Sequence, residues 1–264
     1  MTLPTVPESF YWTPSPCGPV LTCRPLEGVT KHLFTTRKLR LSGADAWRRA
    51  GDLLGVSEVV TLNQVHGREV VTIRRGSRQG TDQAPPRSAD VLVTDDPNVA
   101  IAVRAADCVP LLMADARSGA VAAVHAGWRG TAVGVAPAAA QALAREFGSK
   151  PEDLVVAIGP SIGPCCYDVG TELVDAFAAA GRPRHLIDRW FLALPPRRGS
   201  RERPKLRLDV AGANRDQLIL AGVPEESIHA CGLCTAMHLD VLTSFRAEKE
   251  KAGRMAGIIR AREI

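Results

Sequence analysis

The chain has 264 residues, 45% of them hydrophobic, enough to bury a large core without disulfides, a structural metal or an obligate partner. Its formal net charge of +5 is scattered along the chain and forms no aromatic-interleaved basic stripe, which argues against a nucleic-acid surface. The cysteine count is odd (seven), no stretch approaches the roughly 20 apolar residues of a membrane span, and the first residues lack the pattern of a secretory leader. A cytoplasmic protein with reduced thiols is therefore expected.

In chain order, residues 1–27 carry Pro4, Pro7, Pro14, Pro16, Pro19 and Pro25, which suits an extended arm or edge strand better than a helix. A helix is expected over Asp45–Leu54, stopped by Gly55. Val59–Leu62 and Val70–Ile73 read as β-branched strands, with His66 in the turn between them. Residues 74–88 are polar and rich in Gly and Pro, as in an exposed loop. Four apolar runs follow, Val91–Val93, Ala100–Val103, Pro110–Met113 and Ala120–Val124, and read as buried strands. A helix from Thr131 to Phe147 should close at Gly148, and Leu154–Ile158 is a further buried strand leading into a Gly159–Pro164 turn. Thr171–Ala180 and Asp209–Ala221 are amphipathic helix candidates, separated by a basic excess at Arg197, Arg198, Arg201, Arg203, Lys205 and Arg207 that reads as a solvated loop. A strand at Ala256–Arg260 ends the pattern. Strands and helices interleave without a linker or repeat, so the expected class is α/β, in mixed α+β form, as one domain over residues 1–264.

His66, Cys108 and His125 stand out because each lies at a strand end or turn beside small residues, where a rigid sheet positions binding groups. Their spacing matches no local zinc-finger pattern; three remote turns would have to converge. Two imidazoles and one thiolate suit a catalytic zinc, which keeps three protein ligands and one open position. The same residues also fit a metal-free reading in which Cys108 is a nucleophile activated by His125 or His66. Asp107 and Gln64 are candidates for proton transfer or ligand orientation, and Gln64 also for substrate or phosphate contact. The strand-to-helix segment Gly127–Gly134 offers N–H groups and Arg129 to an anion, but lacks the Walker lysine and the G-x-G-x-x-G spacing. Cys231 and Cys234 have the C-x-x-C form without a second pair, so packing thiols are expected ahead of a redox pair or second metal site. The adjacent Cys165 and Cys166 would point in different directions along any regular backbone; a tight turn is expected there, and not a bidentate ligand.

Five segments in order, Asn63-Gln64-Val65-His66-Gly67, Ala106-Asp107-Cys108-Val109-Pro110, His125-Ala126-Gly127-Trp128-Arg129-Gly130, Gly159-Pro160-Ser161-Ile162-Gly163-Pro164-Cys165-Cys166-Tyr167 and Gly253-Arg254-Met255-Ala256, closely resemble the YfiH-like family. Its members are named multicopper polyphenol oxidases (laccase-domain proteins), purine nucleoside phosphorylases and, in one bacterial case, a peptidoglycan editing factor. The resemblance spans about Gly28 to Ile259. It implies layered sheets flanked by helices in a monomer, zinc on His66, Cys108 and His125, and phosphorolysis of adenosine, inosine and methylthioadenosine together with adenosine deamination. Small-molecule nucleoside and phosphate are then the expected partners, with no nucleic acid and no membrane.

The segment Thr35-Thr36-Arg37 is similar to a small-residue-plus-arginine turn of the family, which makes Arg37, with Arg129, a phosphate candidate. The chain departs from the family's aromatic-rich F-F-S-Y-R-R-D stretch, having Leu242-Thr243-Ser244-Phe245-Arg246-Ala247-Glu248 instead, and this puts a substrate contact there in doubt. Copper is the lesser expectation, because a laccase binds several coppers through many histidines and this chain has six, none in a His-x-His pair. A role in editing cell-wall precursors would use the same pocket.

Overall fold

The computed structural model describes residues 2–76, 87–193 and 206–263. Its strands are β1 (Phe10–Thr13), β2 (Val20–Cys23), β3 (His32–Phe34), β4 (Glu58–Val60), β5 (Val70–Ile73), β6 (Val91–Thr94), β7 (Val99–Ala105), β8 (Val109–Asp115) and β9 (Val121–Ala126). They continue as β10 (Leu154–Ile158), β11 (Asp168–Val169), β12 (Phe191–Ala193), β13 (Leu206–Leu208), β14 (Ile228–Ala230) and β15 (Met255–Arg260). The α-helices are α1 (Arg24–Glu27), α2 (Ala44–Leu54), α3 (Trp128–Val133), α4 (Val135–Phe147), α5 (Thr171–Ala179), α6 (Arg184–Trp190), α7 (Val210–Leu220) and α8 (Phe245–Glu248).

Two six-stranded sheets carry the molecule, in the orders β1-β2-β3-β15-β7-β4 and β14-β10-β8-β9-β6-β5, with a small β11-β13-β12 sheet beside them. Most ladders are antiparallel; β4–β7, β5–β6 and β10–β14 are parallel. Alternation along each strand builds the layers, since successive side chains point to opposite faces. Leu92, Leu112 and Ala123 of the second sheet meet Leu21, Phe34, Ile101 and Val103 of the first in one buried cluster. Val91, Val93, Leu111 and Val124 point the other way, onto α4, α5, α6 and α7. On the far side of the first sheet, Ala46, Ala50 and Leu54 of α2 cover Ala100, Ala102 and Ile258. The result is four layers, helix, sheet, sheet and helices. Both sheets are covered on both faces, which is why their strands read as continuous apolar runs.

The N-terminal segment forms β1 at the edge of the first sheet, paired with β2, and its prolines stay out of both strands; the expectation of no helix is corrected at its end, where Pro25 lies in the first turn of α1, a position that tolerates a missing N–H. The expected Thr131–Phe147 helix is two helices: Gly134 adopts a left-handed backbone (φ 86°), ending α3 and starting α4. Much of the expected 74–88 loop (residues 77–86), and Arg197, Arg198, Arg201, Arg203 and Lys205 of the basic excess, lie outside the described residues. Arg207 sits in β13 and pairs with Asp168 at 3.0 Å. Among the described residues no helix is long and apolar enough to cross a membrane.

The sheet pairings define where a site can form. The β4–β5 connection, which holds His66, passes from the first sheet to the second, and so does the β7–β8 connection, which holds Cys108. Two crossovers thus meet at one end of the sandwich, beside the C-terminal end of β9, which holds His125.

Candidate metal centre

The three remote residues converge. One imidazole nitrogen from His66, one from His125 and the Cys108 sulfur all lie within 4.8 Å of one another. The His66 and His125 rings stand edge to face, with centroids 4.9 Å apart. Pairing sets this up: β8 and β9 place Val109 opposite Ala126, bringing Cys108 beside the end of β9. Gly127 follows there, and a Cβ on it would sit 2.9 Å from both the Cys108 Sγ and the His66 Cδ2. Only a residue without a side chain leaves the ligands this room.

A carboxylate that sequence reasoning missed organises the cluster. Asp90 is fully buried. The β6–β9 ladder pairs Val91 with Val124, so Asp90 lies alongside His125, whose backbone N–H donates to its carbonyl at 2.8 Å. The His125 Nδ1 donates to Asp90 Oδ1 at 2.7 Å, which leaves Nε2 for a metal. The same carboxylate accepts the backbone N–H groups of Val65 (3.2 Å), His66 (3.0 Å) and Gly67 (2.6 Å), and so holds the crossover loop as well. The sequence signal was a lone acid abutting the apolar run Val91-Leu92-Val93, where a buried charge must have partners.

Electrostatics follow from this packing. Burial pushes the Cys108 thiol up, but hydrogen bonds from His125 and His66 outweigh it and bring it down to about 6. Burial pushes His125 down, but Asp90 and the Cys108 thiolate raise it to about 9. For Asp90, burial is outweighed by the His125 and backbone N–H donors, so the carboxyl stays below its ordinary range. Without a metal the site is a thiolate–imidazolium–carboxylate chain. The donor set fits a metal ion: borderline nitrogens, a thiolate, a carboxylate fixing one tautomer, and an exposed His66 on the solvent side.

The centre opens into a cleft of about 770 Å³ lined by Gln64, Arg104, Asp107, Tyr167, Phe245, Arg246, Lys249 and Arg254, besides the three donors. The Gln64 amide is occupied, donating to the Arg104 carbonyl (2.7 Å) and accepting from its N–H (2.8 Å). The Asp107 carboxylate is also engaged, accepting from the Thr235 hydroxyl and the Arg246 N–H, each at 2.6 Å. Asp107 therefore ties the Arg246 segment and the Thr235 turn to the ligand loop. Arg37 lies in a neighbouring cleft of about 650 Å³ with Arg40, Lys251 and Arg254, and is paired with Glu248 at 2.9 Å. Arg129 is outside the lining of the metal cleft, its guanidinium 4.3 Å from the centre of the Trp128 ring. The cationic wall is instead Arg104, Arg246, Lys249 and Arg254. Phe245 and Arg246 line the cleft although their segment departs from the family pattern.

Cys231 and Cys234 do not act as a unit. Cys231 belongs to the core between the sheets, whereas Cys234 lies with Cys165 and Cys166. The expected tight turn at Cys165 and Cys166 is present, but the expectation that the pair does not act together is corrected: because the backbone turns there, both sulfurs approach each other and Cys234 within 4.8 Å.

A double-sheet α+β sandwich with two imidazoles and a thiolate converging at the head of a basic cleft is a protein with a candidate metal centre in its cleft. The chain belongs to the multi-copper polyphenol oxidoreductase laccase family, whose model matches residues 42–262. It is similar to the purine nucleoside phosphorylase YlmD of Geobacillus stearothermophilus, with 36% identity over 208 residues, 77% of this chain and 72% of the relative. It is 33% identical over 213 residues, 78% of each chain, to a protein of an unknown prokaryotic organism named adenosine deaminase RL5. The crystal structure of the Bacillus licheniformis hypothetical protein YfiH superposes with a TM-score of 0.79 at 28% identity, covering 95% of this chain and 97% of that one.

Proposed function

We propose that the chain is a zinc-dependent purine nucleoside phosphorylase with adenosine deaminase activity, working in the cytoplasm as a one-domain monomer over residues 1–264. The observation that carries the zinc reading is the cluster of His66, Cys108 and His125 oriented by Asp90. Relatives named as phosphorylase and deaminase support the substrate class. All three donors come from one chain, so no partner subunit is needed to complete the centre, and a reducing compartment keeps Cys108 available as thiolate.

His66, Cys108 and His125 would hold the zinc, which would supply Lewis-acid polarisation and water activation there. The remaining work belongs to the chain. A cleft of about 770 Å³ is within the usual range for small-molecule sites, about 300–1,000 Å³. Tyr167 and Phe245 offer aromatic faces to a purine ring. Arg246, Lys249 and Arg254 gather an anionic co-substrate, and charge-assisted hydrogen bonds hold it for attack on the sugar. Burial, reinforced by the nearby Cys108 charge, pushes the Tyr167 hydroxyl up to about 12, so it stays a hydrogen-bond donor at neutral pH. Asp107 acts by fastening the Arg246 backbone to the ligand loop.

The direct test is incubation of the protein, with zinc content verified, with adenosine and with or without phosphate. Adenine and ribose 1-phosphate should form only with phosphate, inosine in either case, and a chelator should stop both. No product from fully loaded protein refutes the proposal, and turnover of muramyl peptides in its place would point to cell-wall editing.

A second reading has its own observation. The Cys108–His125–Asp90 chain has the order of a nucleophile, its base and the group that orients the base. Full activity in metal-free protein, with loss on alkylation of Cys108, would establish that alternative.

A further inference from the structure

Cys165, Cys166 and Cys234 form a second cluster, distinct from the cleft donors, with all three sulfurs within 4.8 Å of one another. It is assembled from two remote segments. Cys165 and Cys166 lie in the turn after β10, and Cys234 comes from the segment after β14. Backbone hydrogen bonds hold the segments together: Ser161 N–H donates to the Leu233 carbonyl at 3.2 Å, and Thr235 N–H to the Ser161 carbonyl at 2.9 Å. The Gly163 N–H donates to the Cys234 sulfur at 3.3 Å, aiming a fixed dipole at that atom. A Cβ on Gly163 would lie 3.4 Å from the Cys165 sulfur and 3.7 Å from that of Cys234, so the turn passes directly against both sulfurs. Burial grades from Cys234, which is buried, through Cys166 to the exposed Cys165.

We infer that these three cysteines bind one thiophilic d10 cation, zinc(II), through three thiolates, with the fourth position open to solvent beside Cys165. Thiolates select such ions over magnesium or calcium. In a tetrahedral site with Zn–S of about 2.3 Å, the sulfurs sit about 3.8 Å apart, so the cluster needs a contraction of at most about 1 Å. Each thiol passes its proton to solvent as its bond to zinc forms.

The position gives the ion a structural task. Cys166 precedes Tyr167, which lines the metal cleft, and Cys234 precedes Thr235, whose hydroxyl donates to Asp107 beside Cys108. A zinc here clips the segment that carries Tyr167 into the cleft to the segment whose Thr235 holds Asp107. The proposal does not depend on the enzymatic reading, because it rests on a different set of donors.

The test uses the full chain carrying His66→Ala and His125→Ala, which removes the cleft site. The reduced, metal-free protein is titrated with Zn2+ against a chromophoric chelator. Expected are one zinc per chain, a shell of three sulfurs at about 2.3 Å by X-ray absorption, and protection of three thiols from alkylation. Cys234→Ser in the same background should abolish stoichiometric binding. Where that variant fails to fold, Cys165→Ser, at an exposed position, decides the matter by losing one sulfur from the shell and binding more weakly. Overturning results are no zinc bound by a folded protein, a shell of nitrogen and oxygen only, zinc binding indifferent to Cys165→Ser, or a disulfide within the trio in protein prepared under reducing conditions.

Discussion

Asp90→Asn probes the carboxylate on which the candidate centre turns. The change is nearly isosteric, yet it replaces one of two acceptor oxygens with an NH2 group. In the native arrangement Oδ1 accepts from the His125 Nδ1 and the His66 N–H, and Oδ2 from the Val65 and Gly67 N–H groups. If Oδ2 becomes nitrogen, the part-buried Val65 and Gly67 N–H groups lose their acceptor; if Oδ1 does, the His66 N–H loses its own, and His125 keeps a bond only by turning to the tautomer whose Nδ1 accepts. At about 1–3 kcal/mol for each fully buried unsatisfied donor, about 2–6 kcal/mol is the upper bound for two donors, and part-burial brings the cost below it. The metal-free variant should therefore unfold at markedly lower denaturant concentration. Zinc affinity should fall by roughly 10–100-fold, the usual result of removing the group that orients a histidine ligand. Urea melts of the apo protein and competition with a chromophoric chelator measure the two effects separately. An Asp90→Asn protein that holds zinc within about threefold of the native affinity and melts at the native midpoint would refute the argument that this carboxylate builds the site.

Gly127→Ala places a Cβ 2.9 Å from two ligand side chains; the backbone there (φ −74°, ψ 171°) suits alanine, so the fold should survive while exposed His66 swings away and zinc content collapses, as metal analysis would show. Between about pH 6 and 9 the apo site holds Cys108 as thiolate and His125 as imidazolium, so zinc binding should release the His125 proton; calorimetry in buffers of different ionisation enthalpy should find about one proton, and none from His125 well above pH 9. Burial lowers the His32 pKa from 6.5 to about 4, and its Nε2 accepts the Cys23 N–H at 2.9 Å, so the ring folds neutral. The unfolded chain takes up this proton first, so stability is full above about pH 6.5 and declines by about 3 kcal/mol as pH falls to 4; His32→Gln should flatten that part of the stability–pH curve. His66 has φ 63°, so in the metal-free protein His66→Gly should be more stable than His66→Ala by about 1 kcal/mol, measured by denaturant melts; the reverse order would show that the loop is not strained.

The layers were legible from the sequence because both sheets are covered on both faces, so Val91–Val93, Pro110–Met113 and Leu154–Ile158 appear as uninterrupted apolar runs. The three donors were legible because each closes such a run or sits in the turn beside it. Their convergence was not, since it depends on two connections crossing between sheets, and local periodicity carries no information about which sheet a strand joins. Asp90 was missed because one acid before an apolar run looks like a strand end in solvent until the β6–β9 register buries it. Arg37 and Arg129 were the evident basic candidates, yet Arg246, Lys249 and Arg254 form the cleft wall, because Asp107 captures the backbone of Arg246 across a long stretch of chain. The Thr131–Phe147 pattern ran through Gly134 because the apolar faces of α3 and α4 both meet the second sheet.

The backbone at the centre shows why a strained site can be held ready. Among the described residues only three non-glycine positions have positive φ; one is the donor His66 (63°) and another, Asp107 (93°), immediately precedes the donor Cys108. Such conformations cost of order 1–3 kcal/mol each and persist only where surrounding bonds overdetermine them. At His66 the restraint is Asp90, gripping three successive N–H groups; at Asp107 it is the residue's own carboxylate, bonded to Thr235 and Arg246. The two restraints are linked, because Asp90 also orients His125, and His125 with His66 holds Cys108 as thiolate. Loss of the Asp90 charge therefore frees the left-handed loop and lets the imidazole turn, so loop relaxation and ligand loss should occur as one cooperative event.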